Sequence, residues 1–213
     1  MSLAGLSVAP TRSRYVPGWP TLAPWGLIGK TAAPPPFPFN AAHHTWFYRA
    51  SNAIYHLFKA LDLQPWDVVL APDYHSGNEI WAMRAAGARI VFYPTRRNGE
   101  PDLDALETLY RRHRPRVVYV IHLLGWAQPM DEIMALCQDG DTVVVEDCAL
   151  SMFGEYNGRP LGSIGDYAIY CLYKTLPVPN GGLLVQNRRT LPALSRLALP
   201  PCDAATMAGR PPR

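Results

Sequence analysis

The sequence predicts an α/β domain with a mixed, mostly parallel sheet between helices. Three observations carry this. Short β-branched runs alternate with helix-spaced segments through most of the chain from about residue 50 to residue 190. The runs DVVLAP, RIVFYP, RVVYVI and TVVVED are too apolar to leave one face in water, as befits strands covered on both sides. With 48% apolar and 17% charged residues, the 213-residue chain can bury a core, which excludes a disordered protein.

The elements follow in order. Residues 1–44 read as an extended arm, because the first 40 residues hold eight of the 22 prolines and show no periodicity. A helix begins near Ala50, where Ile54, Leu57, Phe58 and Leu61 fall at i, i+3, i+4 and i+7. Ser51 and Asn52 are its candidate N-caps. DVVLAP is a strand, followed by a helix from about Asn78 to Ala86 that stops at Gly87. RIVFYP is the next strand, and PDLDALETLYRRH is a helix with acids early and arginines late, as its dipole prefers. RVVYVIHLLG, a helix near Met130 to Cys137, TVVVED, DYAIYC and GLLVQN complete a domain over 45–190. Residues 191–213, with five prolines from Pro192 onward, read as an irregular tail and not as a second domain.

Charge and cysteines exclude several classes. Residues 175–213 carry five arginines against one acid, net +4, while residues 1–174 carry 15 basic against 16 acidic side chains, net −1. The excess sits in the tail, so a nucleic-acid-binding face on the domain is not expected. The longest charge-free run, Thr31 to Tyr48, contains Pro34, Pro35, Pro36 and Pro38, so a membrane span is not expected either. No basic segment precedes an apolar one at the N-terminus, and the expectation is a cytoplasmic chain with reduced thiols. Cys137, Cys148, Cys171 and Cys202 form no C-x-x-C pair and have no histidines at finger spacing, so no metal site is expected.

Ligands of open α/β sheets bind beyond the carboxyl ends of the strands. Asp73, Tyr74, His75 and Ser76 follow DVVLAP, His122 and Gly125 follow RVVYVI, Asp147 ends TVVVED, and Lys174 follows DYAIYC. Lys174 stands out because the chain has 17 arginines and only three lysines. Lys59 falls on a helix face and Lys30 in the arm, whereas Lys174 has no charged neighbour from Tyr167 to Tyr173 or from Thr175 to Gln186. The helix start at Ser51 offers outward N–H groups to a phosphate. No G-x-G-x-x-G or P-loop pattern occurs, which disfavours a dinucleotide or a P-loop nucleotide. A lysine, an acid, a stacking ring and a phosphate cradle are the requirements of pyridoxal phosphate.

The stretch VVVEDCALSMFGEYNGRPLGSIGDYAIYCLYKTLPVPNGGLLVQN resembles the pyridoxal-phosphate-dependent sugar aminotransferases of the DegT/DnrJ type. There E-D-A-A-[QH]-A-L-G is followed by a Y-x-G turn, G-S-x-G-D, a strand, the cofactor-bound lysine and G-G. LGWAQPMDEI resembles that family's H-L-x-G…P-x-D segment, and the likeness covers about residues 45 to 190. It implies a fold-type-I large domain, pyridoxal 5′-phosphate as cofactor, a homodimer, and amino transfer from glutamate or glutamine to a nucleotide-linked keto sugar. Carried over, Lys174 bonds the cofactor and moves a proton, in apolar surroundings that favour the neutral amine. Asp147 pairs with the pyridine nitrogen, Ala50, Ser51 and Asn52 hold the phosphate, and Tyr74 or His75 stacks on the ring. Cys171, at the strand end where relatives often carry serine, is a further cofactor-binding candidate, and His122 is read as structural. Leu150 stands where the family has Gln or His. The family's chains continue past the lysine into a small C-terminal domain that has no counterpart in residues 191–213, so a truncated chain without turnover is the alternative reading.

Overall fold

The computed structural model describes residues 34–138 and 140–195. Most of the expected arm, the end of the tail, Lys30 and Cys202 lie outside these residues. Nine strands and five helices are described: β1 His44–Phe47, α1 Ala50–Ala60, β2 Val68–Pro72, α2 Asn78–Ala85, β3 Arg89–Tyr93, α3 Leu103–His113, β4 Val117–Ile121, α4 Met130–Cys137, β5 Val143–Asp147, β6 Glu155–Tyr156, β7 Arg159–Pro160, β8 Tyr167–Cys171, β9 Gly182–Gln186 and α5 Pro192–Ser195. Seven strands form one sheet in the order β1-β9-β8-β5-β4-β2-β3, and β6 and β7 make a separate hairpin. From β3 to β8 all pairings are parallel, while β9 runs antiparallel to both its neighbours. The mixed sheet between helices is the architecture expected from the apolar runs.

Strands β2, β4, β5, β8 and β9 are buried along their whole length. Alternation then sends odd- and even-numbered residues to opposite layers. Val117, Tyr119, Val145 and Ile169 pack with Ile54, Leu57 and Phe58 of α1 and with Met83 of α2. Val118, Val120 and Val144 pack with Leu106 of α3 and Ile133 of α4. A side chain such as Leu57, sealed from solvent, contributes about 1.5–3 kcal/mol of hydrophobic stabilisation. The chain ends of α3 match its charge pattern: Asp102 is the N-cap, accepting from the Ala105 N–H at 3.2 Å, and Arg111, Arg112 and His113 occupy the last turn.

Three local features differ from the sequence reading. The boundary expected at residue 45 falls inside β1, and Phe37, Phe39 and Ala41 pack against buried Tyr170, Leu183 and Val185, so part of the proline-rich stretch covers the sheet. At the other end, Leu191 and Leu194 join the α1 layer. The N-cap of α1 is Arg49, with extended backbone (φ −141°) and no side-chain cap, so Ser51 and Asn52 are the second and third helical residues. Among the described residues, no helix is long and apolar enough to cross a membrane.

Candidate active site

Strand order reverses between β2 and β4: β3 is added outside β2, then β4 and β5 on its other side. A crevice opens at such a switch point, beyond the carboxyl ends of the strands. It contains a cavity of about 130 Å³ that gathers Ala50 and Ser51 of α1, Asp147 at the end of β5, Cys171 at the end of β8, and Lys174. These five expected site residues are thus brought together from four segments.

Asp147 is buried. The Tyr119 hydroxyl donates to its Oδ2 at 2.6 Å and the Ala149 N–H donates to its Oδ1 at 2.9 Å. Burial pushes its carboxyl above the usual range; the hydrogen bonds from Tyr119 and Ala149 oppose this, Glu79 adds to it, and the Lys174 charge opposes it. Lys174 ends a 3₁₀ turn, Leu172–Lys174, and is exposed, contrary to the expected apolar pocket. The turn leaves the sheet immediately after β8, and Lys174 lines the cavity. Burial pushes the Cys171 thiol up, against the influence of Tyr173 and Lys174.

The first turn of α1, also on the cavity lining, has no side-chain cap, which leaves N–H groups for an anion. Ala50 and Ser51 line the cavity, whereas Asn52 is exposed and does not, because each helical step turns the side chain by about 100°. The turn is set by Gly182: a Cβ there would lie 2.4 Å from the Arg49 carbonyl carbon and 2.6 Å from the Ala50 nitrogen. Only a glycine lets β9 approach the helix start this closely.

Neither expected stacking ring lines the cavity. Tyr74 is exposed and faces a smaller recess beside Pro72, Tyr93 and Pro101, while His75 stacks on Phe92 with 5.3 Å between ring centroids. The loop is turned that way by the Asp73 carboxylate, which accepts from the Thr95 N–H at 2.8 Å, and by Ser76, whose N–H donates to Glu79 at 2.7 Å. Ser76 lines the cavity instead, and the phenol ring on its wall is Tyr173. Sequence reasoning missed Tyr173, Glu79, Arg49 and Tyr119. Two carried a signal: Ser76-x-x-Glu79 is a capping pattern, and Tyr119 is the one aromatic residue in RVVYVI.

On the other side of β5, Glu146 accepts N–H groups from Gly162 (2.9 Å), Ile164 (2.8 Å) and Gly165. His122 completes the set: the Gln128 N–H donates to its Nδ1 at 3.1 Å, which leaves Nε2 to donate to Glu146 at 3.1 Å. His122 thus has hydrogen-bond partners at both ring nitrogens, although it also contributes to the cavity lining. It forms a cluster with Glu146 and Cys148 that has the spacing of metal ligands, but hydrogen bonds already occupy both the carboxylate and the imidazole.

The cavity lining thus brings together the uncapped first turn of α1, the buried Asp147 carboxylate and the Lys174 amine. The sequence model of the DegT/DnrJ/EryC1/StrS aminotransferase family matches residues 39–197. The chain belongs to this family. It is similar to the GDP-perosamine synthase of Escherichia coli O157:H7, 26% identical over 138 residues, which cover 62% of this chain and 37% of that protein. Among solved structures it is similar to the aminotransferase from Psychrobacter cryohalolentis, 25% identical with a TM-score of 0.63, covering 70% of this chain and 38% of that one. The fold is also that of the E. coli GDP-4-keto-6-deoxy-D-mannose-3-dehydratase with bound hydrated PLP (TM-score 0.65, 19% identity, 70% of this chain and 40% of that one). The chain spans about two fifths of the length of these relatives.

Proposed function

We propose that residues 45–190 are the pyridoxal-phosphate-binding large domain of a sugar aminotransferase, which moves an amino group from glutamate or glutamine to a nucleotide-linked keto sugar. The observation that carries this reading is the convergence of Lys174, Asp147 and the uncapped start of α1 on one cavity. The residues fit the group. Ala50 and Ser51 offer N–H groups to its phosphate, Asp147 offers a buried carboxylate oxygen to its pyridinium N–H, and Lys174 offers the amine. The cofactor supplies an electron sink for the bond broken at the donor's Cα. Asp147 holds the positive charge at the ring nitrogen that makes the sink effective. Lys174, on the cavity lining, would offer its amine to the cofactor and would serve as the base for the proton on the donor's Cα. Tyr173 provides a ring on the cavity wall where Tyr74 and His75 do not reach. A homodimer is part of this reading, and exposed apolar side chains such as Leu124, Trp126 and Phe153 are candidates for its contact face.

A second reading, cofactor binding without turnover, is favoured by Leu150, an apolar side chain on the cavity wall where the resembling family has Gln or His. Titration of the chain with pyridoxal phosphate, followed by absorbance, tests the first step: a new visible band is expected, and its loss in Lys174→Ala. Addition of glutamate then separates the two readings. A band that changes in a half-reaction supports amino transfer, and a band that stays fixed supports binding alone. A chain with no band at all overturns both.

A further inference from the structure

We propose that Tyr119 is a positioning residue for Asp147: its hydroxyl, fixed in the sheet behind the cavity, holds the carboxylate oriented and ionised for a positively charged ring. The value of this arrangement to a cofactor rests on the reading above, but the hydrogen bond does not. Ile121 pairs in register with Asp147 across the parallel β4–β5 ladder, so Tyr119, two residues earlier, shares a face with Asp147. A phenol is long enough to bridge that diagonal step, and a β-branched residue like those around it is not. Tyr119 is fully buried, and its hydroxyl reaches Oδ2 at 2.6 Å, within the short range of charge-assisted bonds. Ala149 N–H holds the other oxygen, and each oxygen keeps a lone pair for the cavity side.

Burial and Glu79, which faces it from α2, oppose ionisation of Asp147, while the Ala149 N–H and Lys174, in the turn after β8, favour it. Arg49 lines the same cavity from the start of α1, and the thiols of Cys148, just after β5, and Cys171, at the end of β8, are pushed up by burial and stay neutral. Among the described residues, Tyr119 is the one side chain hydrogen-bonded to the Asp147 carboxylate. Burial pushes the Tyr119 phenol well above its usual range, so it stays a donor.

The test is a pH titration of the cofactor-free full chain labelled with [¹³Cγ]aspartate, the Asp147 signal being assigned by its loss in Asp147→Asn. Tyr119→Phe is expected to raise the Asp147 midpoint by about one pH unit and to weaken pyridoxal phosphate binding about tenfold. Tyr170→Phe removes a buried phenol that bonds the Leu161 carbonyl, and is expected to leave the midpoint in place. An unmoved midpoint in Tyr119→Phe, or an equal shift in Tyr170→Phe, overturns the proposal. If Tyr119→Phe does not fold, [¹³Cζ]tyrosine in the parent decides. The Tyr119 signal is expected to titrate with the Asp147 midpoint, and a signal that stays flat through that midpoint overturns the proposal. A midpoint shift in a chain whose parent does not bind pyridoxal phosphate overturns the proposed function and leaves the Tyr119 role standing. Pyridoxal phosphate binding with an unmoved midpoint does the reverse.

Discussion

Glu146 and Asp147, consecutive at the end of β5, send their carboxylates to opposite sides of the sheet. Asp147 faces the cavity, held by Tyr119 and Ala149, while Glu146 is bound by the loop that starts at Gly162 and by His122. That loop carries the G-S-x-G-D motif and leads directly into β8, whose end bears Cys171 and the Lys174 turn. The E-D pair thus has one member for the site and one for the segment that delivers the lysine. Gly162 belongs to the same device: its φ is +86°, and a Cβ there would meet the Tyr170 hydroxyl at 1.9 Å.

Removing the Glu146 carboxylate strands four buried donors. Glu146→Ala is expected to destabilise the chain by about 3–5 kcal/mol in urea unfolding, the range for a buried charged group stripped from its partners. Glu146→Gln, which keeps one acceptor oxygen, is expected to cost about half as much. A loss under about 1 kcal/mol for Glu146→Ala would show that water replaces the carboxylate and that the loop does not depend on it.

The layering was legible because it depends on side-chain chemistry every second or every third to fourth residue. The apolar runs became β2 to β5, and the spacing of Ile54, Leu57, Phe58 and Leu61 became the buried stripe of α1. Asp147 and Lys174, read from the sequence as strand-end residues, both line the cavity. What failed was loop direction. Tyr74 and His75 have the ring types for a stacking role, but Asp73 and Ser76 are tied to Thr95 and Glu79, and those ties turn the rings toward β3. Ser51 looked like a cap because of its residue type, while backbone packing against Gly182 put the helix start at Arg49. Tyr119 was missed because a buried aromatic residue in a strand is commonly core, and only the structure puts its hydroxyl on a carboxylate.

Burial raises the Asp147 carboxyl above its unfolded range, and this has a sign. In the window between the two midpoints the unfolded chain holds fewer protons, so stability falls as pH rises through it. The Asp147 contribution is fully present below about pH 4, where both states are protonated, and is lost as pH passes the folded midpoint. Asp147→Asn lacks this titration. In cofactor-free chains its stability relative to the parent is expected to improve from acid to neutral pH. Urea unfolding at several pH values measures this, and a difference independent of pH contradicts it.

Leu150 is partly exposed on the cavity wall, so a polar side chain there costs little. Leu150→Gln is expected to leave stability within about 0.5 kcal/mol of the parent, as surface substitutions do. It restores the polar type of the resembling family at the position three residues after Asp147. Absorbance titration is expected to show pyridoxal phosphate bound several-fold more tightly. Unchanged affinity would mean that the missing contact is not what limits this site.

Gly182 joins the two ends of the site. Its backbone begins β9 and pairs with Cys171 at the end of β8, and it also presses on the Arg49–Ala50 peptide that opens α1. A Cβ 2.4 Å from the Arg49 carbonyl carbon meets backbone, not a flexible side-chain end, so the helix start must move. Gly182→Ala is therefore expected to destabilise the chain by about 1–3 kcal/mol, the range for overpacking. If the N–H groups of Ala50 and Ser51 hold the phosphate as proposed, it should also weaken binding of inorganic phosphate and of pyridoxal phosphate, each by about tenfold or more. Asn52→Ala, at an exposed position off the cavity, is the comparison and is expected to leave both affinities unchanged. Calorimetric titration with the two ligands reads these effects directly. If Gly182→Ala loses stability but keeps both affinities, the close approach of β9 serves packing alone, and the anion is held somewhere other than the first turn of α1.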